Sequence, residues 1–174
     1  MKAITYQRYG SPDELQFNEI EKPLPKDNEV LIKLKAVSIN SSDLEFLNGK
    51  PVYTRVWGLF RPGIRILGSD ISGTVEAIGK NVVQCKPGDE VFGDIMENWG
   101  GLAEYVCAPQ NKLMLKPLEI SHEEAAALPQ SSMVALQSLR DKGKIQTAQK
   151  VLINGRSEER RVGKEGKSRW SSFH

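Results

Sequence analysis

The stretch that decides the fold lies in the first half of the chain, where residues 68–79 read GSDISGTVEAIG. Its centre, Ile71–Ile78, is a short run between glycines that is typical of a β-strand. Gly68, Gly73 and Gly79 predict turns, bulges or close strand packing, where a larger side chain would not fit. The segment therefore predicts a strand that is packed closely against its neighbours.

Short β-like segments on both sides of this stretch fill residues 1–120. They alternate apolar and polar residues and are separated by turns rich in Gly, Pro, Asn and Asp. The predicted strands are Met1–Tyr6, Leu15–Ile20, Glu29–Ile39, Ile71–Ile78, Glu90–Ile95, Ala103–Ala108 and Leu113–Lys116. Strands this short and this closely spaced predict a closed or nearly closed barrel rather than an open parallel sheet.

Helices are predicted after the third long strand and again after residue 120. Pro129 is expected to interrupt the later helical region, and the apolar run at residues 150–154 predicts a strand that opens a βαβ unit. The predicted helices are a short one after Asn40 capped by Ser41 or Ser42, one that begins in the capping box Ser121–Glu124, and one over Ser131–Lys142 that Gly143 ends.

Composition and charge exclude several classes of protein. The 174 residues are 39% hydrophobic and 26% charged, which suits one globular domain or one domain with part of a second. Residues 1–155 carry 18 basic and 19 acidic side chains, so this body shows no bias toward nucleic acid or membrane. No apolar run approaches the ~20 residues of a membrane span, and the first residues lack the apolar core of a signal peptide. We therefore expect a soluble, cytoplasmic protein.

Five ordered sequence blocks resemble the medium-chain dehydrogenase/reductase family. Residues 68–79 are similar to the family pattern GHExxGxxxxxG, with Ser69 and Asp70 in place of the His-Glu pair. The most similar branch is that of the zinc-independent quinone oxidoreductase-like members, also labelled NAD(P)-dependent alcohol dehydrogenases. The other four blocks are KPGDEVFG at residues 86–93, GGLAEYV at 100–106, EEAAALP at 123–129 and VLING at 151–155.

This resemblance implies a mainly β fold with some α-helix. A GroES-like β-barrel, the catalytic domain, would occupy residues 1–120. Residues 121–155 would be the truncated start of a Rossmann cofactor domain, and the active site would lie in the cleft between the two domains.

The resemblance also implies the chemistry. Such enzymes use NAD(P)H to reduce quinones, enones or small carbonyl compounds; the nicotinamide delivers hydride, while the protein positions the partners and excludes water. The parental protein would bind a small-molecule substrate, with a homodimer as one assembly. A different class stays open, namely a non-enzymatic GroES-like binding module with a basic tail.

The residue types at the family's zinc-ligand positions argue against a zinc site in this chain. The family's catalytic zinc is held by a cysteine near the end of the third long strand and by the histidine of the quoted pattern. Here the corresponding positions read SINSSD, at residues 38–43, and Ser69, and serine hydroxyls are poor zinc ligands at neutral pH. Cys85 and Cys107 make neither a disulfide framework nor a metal pair, and His122 is expected to be a solvated neighbour of a helix cap.

The resemblance implies a small set of site residues. Asn40 matches the family asparagine that faces nicotinamide and substrate, although its amide could instead cap the short helix. Asp43 matches the following aspartate and is, with Asn40, a candidate catalytic residue; the alternative for Asp43 is a favourable charge in a first helical turn. Val134 stands where the family has the threonine of a pair near the nicotinamide. Tyr53 and Trp57 are candidates for lining the substrate cleft, with core or rim packing as the alternative.

The last part of the sequence departs from the family. After VLING a glycine-rich turn would bind the cofactor pyrophosphate, but of that turn only Gly155 is present. Residues 156–174 resemble a translated sequencing adapter, RSEERRVGKECRSRWSPYH, at 15 of 19 positions. We therefore expect a non-native, disordered tail and an inactive chain. The alternative is a genuine basic tail that binds nucleic acid or an anionic surface.

Overall fold

The computed structural model describes residues 1–56 and 58–152. All seven strands predicted for residues 1–120 are present there, with ends within two residues of those expected. The strands are β1 (Lys2–Thr5), β2 (Gln16–Glu19), β3 (Glu29–Ser38), β4 (Asp70–Ile78), β5 (Glu90–Asp94), β6 (Tyr105–Pro109) and β7 (Met114–Leu115). The helices are α1 (Ser41–Asn48), α2 (His122–Ala126) and α3 (Pro129–Leu136), followed by a π-helical segment at Gln137–Lys142.

The strands form two antiparallel sheets that are joined at one edge. Five strands pair in the order β6-β3-β4-β5-β7, and β1 pairs with β2. The segment just before β6 connects the two sheets, because Ala103 bridges to Ala3 and the Ile4 amide donates to the Leu102 carbonyl at 2.8 Å. The predicted mainly β architecture is therefore confirmed.

The principal core lies against the five-stranded sheet. Val30, Leu31 and Ile32 are all buried although they are consecutive, so β3 is covered on both faces, as its sequence predicts. Helix α2 covers part of this sheet and buries Ala125 and Ala126. A second apolar cluster fixes α1, whose Phe46 and Leu47 pack with Tyr6, Leu67 and Trp99.

Two glycines of the stretch at residues 68–79 are required by close backbone approach. A Cβ atom on Gly73 would lie 2.3 Å from the carbonyl oxygen of Lys33 on β3. A Cβ atom on Gly79 would lie 2.0 Å from the carbonyl oxygen of Lys26. These distances are far below van der Waals contact. Of the roles predicted for these glycines, close strand packing is the one found at Gly73, whereas Gly79 lies against the segment that precedes β3.

Two local predictions are wrong and a third needs refinement. The residue at the N-cap of α1 is Asn40 rather than Ser41 or Ser42. The helical region is interrupted just before Pro129, as predicted, but Pro129 itself begins α3, a position where its missing N–H has no intrahelical partner to lose. Residues 150–152 are not in a strand, since no described strand pairs with them, and the rest of that predicted strand lies outside the described residues.

The chain divides into two units, Met1–Val134 and Ala135–His174. The first holds both sheets, α1 and α2. The second is described up to Leu152, and in it the Gly143 amide donates to the Ser138 carbonyl at 2.8 Å at the end of the π-helical segment. The proposed domain boundary after residue 120 remains a prediction. No helix in the described ranges is long and apolar enough to cross a membrane.

The Gly73→Ala variant tests the packing of β4. The new methyl group would overlap β3 at the centre of the sheet, so we expect a loss of about 2 kcal/mol or more in the free energy of unfolding. Thr74→Ala, at the next position of the strand, should cost about 1 kcal/mol or less. Urea unfolding of both variants measures the difference, and equal midpoints would contradict the account of the strand spacing.

Candidate functional site

The site begins where β3 ends and α1 starts. The backbone N–H of Asn40 donates to Oδ2 of Asp43 at 2.7 Å, and the Asp43 N–H donates to the Asn40 carbonyl at 3.1 Å. The two residues thus exchange hydrogen bonds across the first turn of the helix. This arrangement satisfies N–H groups that a helix start otherwise leaves without partners.

Asp43 is buried, with 3% of its surface exposed. Its second oxygen, Oδ1, accepts the backbone N–H of Gly68 at 2.8 Å. Burial raises the pKa of the Asp43 carboxyl, and the bonds from Asn40 and Gly68 act in the opposite direction. Both oxygens are engaged by backbone groups, which supports a positioning role for Asp43; the predicted catalytic role remains a prediction.

Asp70, at the start of β4, is fully buried and joins two distant segments. Its Oδ2 accepts the Asn40 side-chain amide at 3.1 Å and the Gln130 backbone N–H, in the first turn of α3, also at 3.1 Å. Its Oδ1 is buried and has no hydrogen-bond partner among the described residues. One carboxylate therefore holds both the end of β3 and the start of α3.

The surroundings of Asp70 favour its protonated form. Burial, together with the smaller effect of the negative charges of Asp94 and Asp43, raises the pKa of this carboxyl to about 6, against the hydrogen bonds from Gln130 and Asn40. Asp94 lies opposite Asp70 in the β4–β5 pairing. Because Oδ2 already accepts two hydrogen bonds, Oδ1 is the oxygen left to carry the proton.

Of the remaining predicted site residues, two are exposed and two lie outside the described residues. Val134 lies in α3, four residues after Gln130, with 58% of its surface exposed. Tyr53 is also exposed, and its hydroxyl donates to Glu45 of α1 rather than to the Asp70 cluster. Trp57 and Gly155, predicted to bind substrate and cofactor, lie outside the described residues. The structure thus connects Asn40 and Asp43 directly and leaves Tyr53 apart.

The residues at the family's zinc positions do not fit a zinc ion. Ser69 is fully buried, and its hydroxyl has no partner among the described residues. A neutral hydroxyl is a poor substitute for a thiolate or an imidazole. Within residues 1–56 and 58–152 no group of three or more His, Cys, Asp or Glu side chains could hold a metal ion. The absence of zinc remains a prediction that rests on donor chemistry.

The cysteine thiols are not activated. Burial raises the pKa of both, that of Cys107 to about 11, so neither is a thiolate near neutral pH. Cys85 packs against the principal core as an apolar side chain would.

His122 is not the solvated cap neighbour that its sequence suggests. The capping box of Ser121 and Glu124 forms as predicted, but the imidazole is only 17% exposed. Its Nδ1 lies 2.8 Å from the Ser72 hydroxyl, and its Nε2 lies 3.2 Å from Oε1 of Glu90. The reason is tertiary: α2 packs on β4 and β5, which carry these two partners, so His122 fastens the helix to the sheet.

Asp70→Asn tests the raised pKa through stability. Between pH about 4 and about 6 the folded protein holds a proton on Asp70 that the unfolded chain has released, so stability falls as the pH rises through this window. The variant keeps an acceptor oxygen and loses the titration. From acidic to neutral pH, the free energy of unfolding of the variant should therefore increase relative to that of the wild type by roughly 1–3 kcal/mol.

Asp27→Asn is the matched control, since Asp27 is an exposed carboxylate paired with Lys80. Denaturant unfolding at both pH values gives the comparison. Equal pH dependence in the wild type and in the Asp70 variant would contradict the raised pKa.

Comparison with known proteins identifies the family to which this fold belongs. The profile of the "Alcohol dehydrogenase GroES-like domain" family matches residues 26–118. Among curated proteins, the 2-methylene-furan-3-one reductase of Solanum lycopersicum is 35% identical over an alignment that covers 89% of this chain and 40% of the reductase.

Solved structures agree with this assignment. The quinone oxidoreductase of Coxiella burnetii superposes with a TM-score of 0.76 at 31% identity, over 84% of this chain and 46% of that enzyme. The Escherichia coli quinone oxidoreductase complexed with NADPH gives 0.69 at 26% identity, over 82% and 41%. The chain thus spans less than half the length of these relatives. It belongs to the alcohol dehydrogenase GroES-like domain family, among the quinone oxidoreductase-like members of the medium-chain dehydrogenases/reductases.

Proposed function

We propose that this chain supplies the substrate-side domain of an oxidoreductase that uses NAD(P)H, without zinc, to reduce quinones, enones or small carbonyl compounds. The observation that carries the proposal is the shared Asp70 carboxylate, which fixes the side chain of Asn40 and the start of α3 together. The NADPH complex of the Escherichia coli relative supports the choice of cofactor.

The described residues fit one wall of a nicotinamide site. Asn40 is half-buried, with its amide oriented by Asp70, and Val134 presents an exposed apolar side chain on the helix that Asp70 anchors. An apolar surface beside a fixed amide suits a flat, weakly polar ring. Bound NAD(P)H would supply the hydride for the reduction.

The chain's own residues contribute orientation rather than metal chemistry. Asn40 is fixed twice, because its backbone N–H binds Asp43 and its side chain binds Asp70. A polar group that is already fixed costs little further entropy when a substrate or cofactor contacts it. Asp70 is fully buried and so acts through Asn40 as a positioning residue.

A chimera tests the activity. Residues 1–134 would replace the matching segment of the Coxiella burnetii quinone oxidoreductase, and NADPH oxidation would be followed with a quinone, an enone and an aldehyde. We expect acceptor-dependent oxidation that a zinc chelator does not inhibit. Asn40→Ala should lower kcat by about tenfold or more, because the fixed amide is lost.

Asn48→Ala, at the exposed C-terminal end of α1, is the matched control and should leave kcat within about twofold. The decisive negative result is a chimera that folds and binds NADPH but oxidises it with none of the acceptors. That result would favour a binding module, and loss of activity with the chelator would contradict zinc independence.

The 174-residue chain should not bind NADPH by itself. Residues 156–161 read RSEERR where the family has its glycine-rich pyrophosphate turn, so the backbone contacts that hold the phosphates are missing. Titration followed by nicotinamide fluorescence and binding heat should show no saturation up to millimolar nucleotide. Saturable one-to-one binding would mean that this sequence builds a phosphate site of another kind.

A further inference from the structure

A polar cavity of about 320 Å³ lies beside the β1–β2 pair, apart from the residues of the Asp70 site. It is formed by the segment that follows β1 and by the loop at residues 58–66. Among the described residues, three guanidinium groups and one carboxylate line it. The polar residues that line it are Gln7, Arg8, Glu14, Gln16, Arg61 and Arg65.

The described residues that line this cavity do not balance its positive charges. Arg8 pairs with Glu14, with 3.2 Å between Nε and Oε2. The side chains of Arg61 and Arg65 make no hydrogen bond or ion pair within the part of the chain that the structure describes. Like charges that converge in a concave site raise the local positive potential and attract an anion.

The loop that carries the two arginines is held in place by the segment that follows β1. The Tyr9 hydroxyl donates to the Gly58 carbonyl at 2.6 Å, and the Tyr6 N–H donates to the Arg65 carbonyl at 3.0 Å. The turn between them is tight, because a Cβ atom on Gly58 would lie only 1.9 Å from the Arg61 carbonyl oxygen. The arginine side chains therefore start from fixed backbone positions.

We propose that this cavity binds a phosphate group of a small soluble ligand through Arg61 and Arg65. The guanidinium group presents paired N–H donors that match phosphate oxygens, and both glutamine amides can donate further hydrogen bonds. The volume is at the lower end of the range for small-molecule sites, which suits a pyrophosphate or a phosphomonoester. Arg8 offsets the one carboxylate that would repel such a ligand.

Calorimetric titration of the full chain with inorganic pyrophosphate, at fixed ionic strength, tests the proposal. We expect saturable one-to-one binding that Arg61→Gln and Arg65→Gln each weaken by about tenfold or more, since each removes a charge-assisted hydrogen bond. Both side chains are exposed, so thermal unfolding without ligand should not change.

Lys80→Gln is the matched control, because it removes the same charge from an exposed residue that pairs with Asp27. It should leave the affinity within about twofold. Absence of saturable binding, or equal weakening by Lys80→Gln, would overturn the proposal in favour of nonspecific attraction.

Glu14→Gln is expected to strengthen pyrophosphate binding, whereas the two arginine variants weaken it. Removing the one carboxylate that lines the cavity within residues 1–56 and 58–152 should strengthen pyrophosphate binding by several-fold, because the repulsion is lost. Unchanged or weaker binding would contradict the assignment of the cavity.

A parallel titration with phosphatidic-acid vesicles identifies the source of the phosphate. Binding to vesicles without binding to pyrophosphate would overturn the proposal that the ligand is a small soluble molecule.

Discussion

The candidate site depends on one buried carboxylate, that of Asp70. It accepts the side chain of Asn40, thirty residues earlier, and the backbone of Gln130, sixty residues later. A carboxylate in the interior is tolerated only where donors surround it, so this group requires the two N–H donors to converge. The end of β3 and the start of α3 thereby acquire a fixed relation that neither segment could impose by itself.

A second aspartate, Asp43, also links the start of α1 to the start of β4. Asp43 binds the backbone of Gly68, two residues before Asp70, while Asp70 binds the side chain of Asn40, three residues before Asp43. The start of α1 and the start of β4 are thus linked twice, in opposite directions. The arrangement has an electrostatic cost, because burial raises the pKa of Asp70 and the nearby carboxylates of Asp94 and Asp43 add to this effect. A preorganised polar site commonly carries such a cost.

The strands and the family could be predicted because their signals are local. The glycines at 73 and 79 and the capping box at Ser121 depend on neighbouring residues and are found as expected, whereas β3 departs from simple alternation because Val30, Leu31 and Ile32 are all buried. The contacts of His122 with Ser72 and Glu90 could not be predicted, since fifty and thirty-two residues separate the partners. Asp70 was visible as the acidic residue of the family pattern, but its bond to Gln130 required the fold. The arginine cavity likewise combines residues from two distant segments.

The most direct test of the account is the pKa of Asp70 itself, measured from its carboxyl ¹³C shift in an NMR pH titration. The Gln130 amide proton should report the same transition, because it donates to this carboxylate. The account predicts a midpoint near 6 for both signals. A carboxyl midpoint at or below the ordinary aspartate value of about 3.9, with no response at Gln130, would contradict it.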